Sequence, residues 1–372
     1  MNANRKTLFA FRPLIGQVQR WSTLKTSVVV LIGILVAVAG ATLGMTAIHL
    51  AFQRTPQSIA SLQFKGFIAL PSPAASGLWS VMDYLTIEGR NLYVASIKPG
   101  AVFRVPLDGT SLPLKSDIAL IPGKPSAHGV VFDPSGRVGF ISRSGVNVVD
   151  IFNVATLQIT KSIAVAEGAD GIFFDPFNKL IYAVSGDAKM ATLIDPFTQS
   201  KVMQINLGGK PEFAVFDAST NLIYQNLKDS NEIAVVDLAK RAVVDRWPLL
   251  GCDGPSGLEF DKLKRRLLIA CSGNDTLLVM NADTRRVVSS VTIGAEPDSV
   301  AYDPEKMRVY STGKQGVLSV VQQDADDTYR NTGNVTLEYG AHTLAFDQLT
   351  RRIYVGYVNL FTEPRLAVFD AP

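Results

Sequence analysis

An aromatic residue followed directly by aspartate recurs along most of this 372-residue chain. Six such pairs recur at a regular interval, namely Phe132-Asp133, Phe174-Asp175, Phe216-Asp217, Phe260-Asp261, Tyr302-Asp303 and Phe346-Asp347. They lie 42, 42, 44, 42 and 44 residues apart. An interval this regular predicts a fold assembled from copies of one supersecondary unit.

Each copy has the pattern of a short β-hairpin. In the copy at 168–209, Phe174-Asp175 leads through a polar turn into the apolar run Leu180 to Val184. Short runs rich in Val, Ile, Tyr and Phe, bounded by Gly, Asp, Asn and Pro, are typical of strands rather than helices. The copy has room for four such strands. A four-stranded unit of about 40 to 45 residues is typical of a β-propeller blade.

A seventh copy lies upstream, from Asp83 to Ser96, with Ile87 in the aromatic position. Seven copies predict an all-β, seven-bladed β-propeller over residues 62–372. Residues 62–70 have the pattern of a strand that precedes every hairpin, whereas the last copy supplies only three strands. Since unpaired sheet edges are unfavourable, we predict that the N-terminal strand completes the seventh blade and closes the ring.

The repeats resemble the bacterial YVTN-repeat, or YncE-like, propellers. The resemblance is carried by the lead-ins "GGKPEFAVFD" and "GAEPDSVAYD" and by the second strands "NLYVAS" and "RIYVG". It implies a seven-bladed propeller. It implies no single function, because members serve as scaffolds, as binding proteins and occasionally as enzymes, and a shared fold does not fix function.

The N-terminal region has the charge pattern of a membrane segment. Residues 1–25 carry basic but no acidic side chains, and residues 26–53 carry no charge over more than the roughly 20 residues that cross a bilayer. We predict a cytoplasmic N-terminus, a transmembrane signal anchor over 26–53, a tether over 54–61 and the propeller in the bacterial periplasm. The alternative is a signal peptide cleaved after Ala37-Val38-Ala39, which would release a secreted protein.

The charge balance of the remaining chain argues against nucleic acid as a partner. The first 54 residues hold six of the 36 basic residues and none of the 33 acidic ones, so the rest is mildly acidic. No basic cluster of the kind that binds nucleic acid follows Arg54. Motifs of serine hydrolases, P-loop enzymes, zinc proteases and dinucleotide-binding enzymes are absent. We expect a small ligand, a glycan, or a periplasmic or membrane protein as partner.

Both cysteines, Cys252 and Cys271, fall in the fifth copy. Hairpin symmetry would place Ser256, rather than Cys252, opposite Cys271. We therefore expect two nearby but separate thiols. The alternative is a disulfide, which requires Cα atoms within about 7 Å and is favoured outside the cytoplasm.

The residue four positions before the aromatic is polar in every copy. These residues are Asp83, His128, Asp170, Glu212, Ser256, Asp298 and His342. Each lies where the chain enters the innermost strand of its blade. We therefore expect them to form a ring around one mouth of the central channel, as a ligand-binding site.

Ring closure would bring together His342, Asp83 and His128, which come from three consecutive blades. Two imidazoles and a carboxylate suit a divalent transition metal or zinc, the one cofactor we consider. A metal there would support a lyase or lactone hydrolase that uses His128 or His342 as base. The other interpretation is a binding scaffold whose polar mouth is solvated. Under either interpretation the acidic side chains on the far side of the mouth favour a cationic partner.

Overall fold

The computed structural model describes residues 55–71, 81–98, 100–107, 111–123, 126–357 and 364–372. Within this part of the chain, 28 strands form seven four-stranded antiparallel sheets, with one short 3₁₀ helix, Lys115–Asp117. The innermost strands of successive sheets contact one another in a closed cycle. The predicted seven-bladed β-propeller is therefore confirmed.

Six blades follow the chain in order from the channel outward. Blade 1 contains β2 Val81–Glu88, β3 Asn91–Lys98, β4 Val102–Pro106 and β5 Ala119–Ile121; blade 2 contains β6 Ala127–Phe132, β7 Val138–Arg143, β8 Val148–Asn153 and β9 Ile159–Ala164. Blade 3 contains β10 Ala169–Asp175, β11 Leu180–Ser185, β12 Met190–Asp195 and β13 Ser200–Asn206; blade 4 contains β14 Pro211–Asp217, β15 Leu222–Leu227, β16 Glu232–Asp237 and β17 Ala242–Pro248. Blade 5 contains β18 Pro255–Asp261, β19 Arg266–Cys271, β20 Thr276–Asn281 and β21 Val287–Thr292; blade 6 contains β22 Pro297–Asp303, β23 Arg308–Gly313, β24 Val317–Ala325 and β25 Thr328–Thr336.

Blade 7 joins the two ends of the propeller. Its strands are β26 Thr343–Asp347, β27 Arg352–Gly356, β28 Arg365–Asp370 and the N-terminal β1 Gln63–Ala69. Strand β1 pairs antiparallel with β28, with Gln63 opposite Asp370 and Ala69 opposite Arg365. Strand β26 then contacts β2 of blade 1. The predicted closure by an N-terminal strand is thus confirmed.

The repeated aspartate stabilises the turn that follows the innermost strand. Asp175 Oδ1 accepts hydrogen bonds from the backbone amides of Phe177 (2.9 Å) and Asn178 (3.2 Å). Lys179, at φ 56°, then occupies the left-handed region at the end of the four-residue loop between the paired residues Asp175 and Leu180. Asp217, Asp261, Asp303 and Asp347 accept from the amide two residues onward in the same way. The aspartate recurs because the hairpin needs it.

The repeated aromatic residue packs between blades. The ring of Phe132 in blade 2 lies 4.7 Å, between centroids, from Tyr93 in blade 1. The same contact joins Phe216 to Tyr182 at 6.1 Å, Phe260 to Tyr224 at 5.8 Å, and Phe346 to Tyr310 at 5.4 Å. Since such pairs add stability beyond their buried area, the aromatic period reflects the core that neighbouring blades share.

Two arginines reinforce this contact between blades. Arg265 Nη2 lies 2.8 Å from the buried Asp217 carboxylate of the preceding blade, and Arg351 binds Asp303 in the same arrangement. Burial opposes ionisation of Asp217, but the hydrogen bonds from Arg265 and the turn hydroxyls outweigh it and hold its pKa well below the usual range. These basic turn residues therefore stabilise the ring.

Cys252 and Cys271 form a disulfide, with Cα atoms 5.2 Å apart. The expectation of two separate thiols was wrong. Pro255, rather than Ser256, pairs with Cys271. The chain before β18 turns at Gly251 and Gly254, with φ of 89° and 59°, which returns Cys252 to the end of β19. These left-handed glycines remove the offset that simple hairpin symmetry predicts.

The predicted membrane segment at 26–53, and the possible cleavage site within it, lie outside the described residues. No helix in the described part of the chain is long and apolar enough to cross a membrane. Residues 55–58 of the predicted tether are described and lead to the bridge between Ile59 and Leu62.

Candidate functional site

A cavity of about 410 Å³ occupies one mouth of the central channel. Six of the seven predicted ring residues line it, namely Asp83, His128, Asp170, Glu212, Asp298 and His342. The repeat period therefore identifies most of this wall correctly, because each of these residues precedes or begins the innermost strand of its blade.

Ser256 does not line this cavity. Its side chain is fully buried, and its hydroxyl donates to the backbone carbonyl of Pro297 in the next blade, at 2.8 Å. A short hydroxyl satisfied by neighbouring backbone has no reach toward the channel. Ser256 thus contributes to the contact between blades 5 and 6, and its predicted place in the ring is corrected.

His128 lies between two carboxylates. Its Nδ1 is 2.5 Å from Asp83 Oδ2 and 3.3 Å from Asp170 Oδ1, while its Nε2 is 2.7 Å from Ser144 Oγ. Burial disfavours the charged ring, but the hydrogen bonds to Asp170 and Asp83 outweigh it and raise the pKa of His128 to about 10. The imidazolium therefore neutralises part of the acidic wall at pH 7.

His342 does not join this cluster. Its Nδ1 lies 2.8 Å from the Gly340 carbonyl, to which it donates, and its Nε2 is 4.0 Å from Asp298 Oδ2. The ligand atoms that come within 4.8 Å of one another belong to Asp83, His128 and Asp170. The structure thus brings Asp170, rather than His342, together with Asp83 and His128. A metal ion would have to replace the Nδ1 proton of His128.

Lys228 is a wall residue that the sequence argument missed. It follows β15, and its Nζ lies 3.1 Å from Glu212 Oε1. Burial opposes its charge, yet the carboxylates of Glu212, Asp298 and Asp170 raise the pKa of Lys228 above its usual value. Glu212 has a pKa of about 7, raised by burial and lowered in part by Lys228. The cavity therefore favours an ammonium group.

A signal for Lys228 exists in the repeat. The residue twelve positions after the aromatic opens the turn after the second strand. In five copies it is Ser144, Gly186, Lys228, Ser272 and Lys314. Lys228 and Lys314 line the cavity, and Ser144 binds His128. Stacking the repeats at this position as well would have found them.

Asp298 differs from the other acidic residues of the wall. Asp83 and Asp170 share His128, and Glu212 binds Lys228, but in the described part of the chain the nearest basic group to Asp298 is His342 at 4.0 Å. Its side chain is 20% exposed. Asp298 is therefore the carboxylate available to a bound cation.

Two aromatic side chains, Tyr84 and Phe213, line the cavity, and Phe173 packs against both. The Tyr84 ring lies 4.7 Å from Phe213 and 6.3 Å from Phe173, so blades 1, 3 and 4 meet across the channel. A Cβ at Gly171 would lie 3.1 Å from Tyr84 Oη, which shows how closely the tyrosine approaches blade 3. Tyr84 and Phe213 also line a second cavity of about 350 Å³. We call Tyr84, Phe173 and Phe213 the aromatic plug.

The acidic wall of the cavity affects the ionisation of the tyrosine in this plug. Burial and the carboxylates of Asp170, Asp83, Glu212 and Asp298 raise the pKa of Tyr84 well above its usual value, so the hydroxyl stays neutral. Aromatic faces attract cations, especially where water is excluded. Carboxylates over an aromatic floor are an arrangement that suits an organic cation.

Comparison with known proteins supports the fold and leaves the family open. No family model matches the chain, and no curated protein matches it. Solved propellers are similar in structure. One is Kuenenia stuttgartiensis hydrazine synthase, with TM-score 0.66, 13% identity and coverage of 77% of this chain and 95% of that chain. Another is the mitotic checkpoint complex, with TM-score 0.64, 11% identity and coverage of 86% and 97%. At such identities the likeness concerns the fold alone.

Proposed function

We propose that this chain is a membrane-anchored periplasmic propeller of the YVTN-repeat type that binds a cationic ligand, or a cationic side chain of a partner protein, in its channel mouth. The propeller is the scaffold, and the wall of the mouth is the recognition element. The observation that carries the proposal is the geometry of the wall, where Lys228 Nζ lies 3.1 Å from Glu212 Oε1 and, within the described part of the chain, the nearest basic group to Asp298 is His342 at 4.0 Å.

The availability of Asp298 completes the argument. Within the cavity, four carboxylates face His128 and Lys228, while Lys210 and Lys314 lie exposed at the rim, where solvent screens their charges. One further cation near Asp298 would relieve the repulsion among the carboxylates and contact the aromatic plug. A polyamine or a lysine-bearing peptide has this chemistry.

Two features support export to the periplasm. One is the uncharged stretch 26–53 after a basic N-terminus. The other is the disulfide between Cys252 and Cys271, since such bonds persist in oxidising compartments. Alkaline phosphatase fused after Pro372 tests this location, because the enzyme is active only after export. An inactive fusion would contradict it.

Spermidine is the probe for the mouth. We expect calorimetry on the full-length protein to show saturable binding that weakens about tenfold or more in Asp298→Asn, because the substitution removes the available carboxylate while keeping the shape of the side chain. Removing one partner of a partly buried charge pair costs about 2 kcal/mol or more. The dicarboxylate succinate should give no binding.

Asp326→Asn is the matched control, since Asp326 is 84% exposed on its side chain and lies outside the cavity. It should bind spermidine as the wild type does. Equal loss in both variants, or no spermidine binding at all, would contradict the proposal. Absent spermidine binding together with zinc binding that His128→Ala abolishes would favour the alternative, a metal-assisted lyase or lactone hydrolase at Asp83, His128 and Asp170.

A further inference from the structure

A lone carboxylate lies in the second cavity, on the other side of the aromatic plug. The residue one position before the aromatic faces this part of the channel in several blades. In the seven copies it is Thr86, Val131, Phe173, Val215, Glu259, Ala301 and Ala345. Glu259 is the single ionisable member. It lines the cavity of about 350 Å³ together with apolar and hydroxyl side chains.

Few neighbouring groups stabilise the negative charge of the Glu259 carboxylate. Among the described residues its carboxylate has no hydrogen bond to another side chain and no ion pair. Burial raises the pKa of Glu259 to about 7, and only the Phe260 amide and the charge of Lys262 favour its ionised form. Because a partly buried carboxylate is costly without a partner, the position favours an entering cation.

The remaining lining defines the rest of the ligand. Leu85, Ile87, Leu344 and Phe346 supply apolar surface, while Gln348 is exposed, so the cavity reaches the solvent on the face opposite the mouth. Glu259 is the sole acidic residue among those that line it. The lining suits one positive charge on an apolar body, in contrast to the several carboxylates of the mouth.

We propose that this second cavity is a separate binding site for a primary amine with a compact apolar body, held by an ion pair to Glu259. The apolar body lies against Leu85, Leu344 and the lower face of the aromatic plug. The ammonium donates hydrogen bonds to the carboxylate, which remains ionised when the amine is bound. The site differs from the mouth in its ligand class, its acidic residue and its face of the propeller.

Benzylamine is the probe, and benzyl alcohol is its neutral counterpart. On the full-length protein, calorimetry should show benzylamine binding that is at least tenfold tighter than benzyl alcohol binding. In Glu259→Gln combined with Asp298→Asn, which also removes the available carboxylate of the mouth, the two ligands should bind equally weakly. Wild-type affinity for benzylamine should fall about tenfold from pH 8 to pH 6, because the amine stays charged while Glu259 takes up a proton. The variant should lose this pH dependence.

Asp298→Asn separates this site from the mouth. It should bind benzylamine as the wild type does, while Glu259→Gln should bind spermidine as the wild type does. The proposal is overturned if Glu259→Gln keeps full benzylamine affinity, if benzyl alcohol binds as tightly as benzylamine, or if Asp298→Asn alone removes benzylamine binding. Circular dichroism spectra that match the wild type exclude loss of fold as the cause.

Discussion

Replacing His128 by alanine is expected to lower the free energy of unfolding by about 3–5 kcal/mol, the range seen when one partner of a buried ion pair is removed. The imidazolium lies between Asp83 and Asp170, at 2.5 Å and 3.3 Å. Without it, two partly buried carboxylates repel each other with no counter-ion. Urea unfolding of the wild type and the variant at pH 7 measures the difference.

The pH dependence identifies the charge as the cause. The pKa of His128 rises from 6.5 to about 10 on folding. The stability it supplies is therefore fully present below pH 6.5 and is lost as pH rises through about 10. The difference between wild type and variant should shrink between pH 7 and pH 10. Adding Asp83→Asn and Asp170→Asn to the alanine variant should restore part of the stability. A constant difference across this pH range would show a packing role instead.

Deleting residues 55–70 is expected to abolish folded, soluble protein. The deletion removes β1 and the buried side chains of Leu62, Ile68 and Leu70, which pack in the cores that blade 7 shares with blades 6 and 1. Each contributes about 1.5–3 kcal/mol, and the loss also leaves β28 as an open sheet edge. The total is comparable with the entire stability of a typical domain, about 5–15 kcal/mol. Size-exclusion chromatography and circular dichroism measure the outcome.

A matched variant tests whether folding needs the pairing of β1 with β28 rather than the identity of the exposed residues of β1. Gln63→Ala with Lys65→Ala alters two exposed positions of β1 and keeps its buried face, so it should fold. Supplying residues 55–70 as a peptide should rescue the deleted chain, since a strand can add to an exposed sheet edge. A deleted chain that folds unaided into a stable monomer would show that blade 7 closes without β1.

The repeat predicts the fold and most of the mouth because one interval fixes both. Once Phe174-Asp175 is recognised as the end of an innermost strand, Asp170 must lie near the start of that strand, and the same holds for His128, Glu212 and Asp298. The orphan strand at 63–69 and the missing fourth strand of blade 7 then predict the closure. These inferences need only strand direction and order.

The repeat interval does not predict the direction of individual side chains or the conformation of local turns. Ser256 is polar like its counterparts, yet a hydroxyl can be satisfied by the Pro297 carbonyl and stay buried. Glycine turns at Gly251 and Gly254 bring Cys252 to Cys271. The reach of Tyr84 across the channel depends on empty space beside Gly171 in another blade. Each depends on contacts between segments far apart in sequence.

The central claim, that the channel mouth holds a cation, is tested most directly by a crystal structure of the protein with spermidine. We predict an ammonium group within about 3 Å of Asp298 Oδ2, the distance of a charge-assisted hydrogen bond. The methylene chain should lie over Tyr84 and Phe213, with His128 still between Asp83 and Asp170. Spermidine bound only on the outer surface, or a mouth that instead holds an anion on Lys228, would contradict the account.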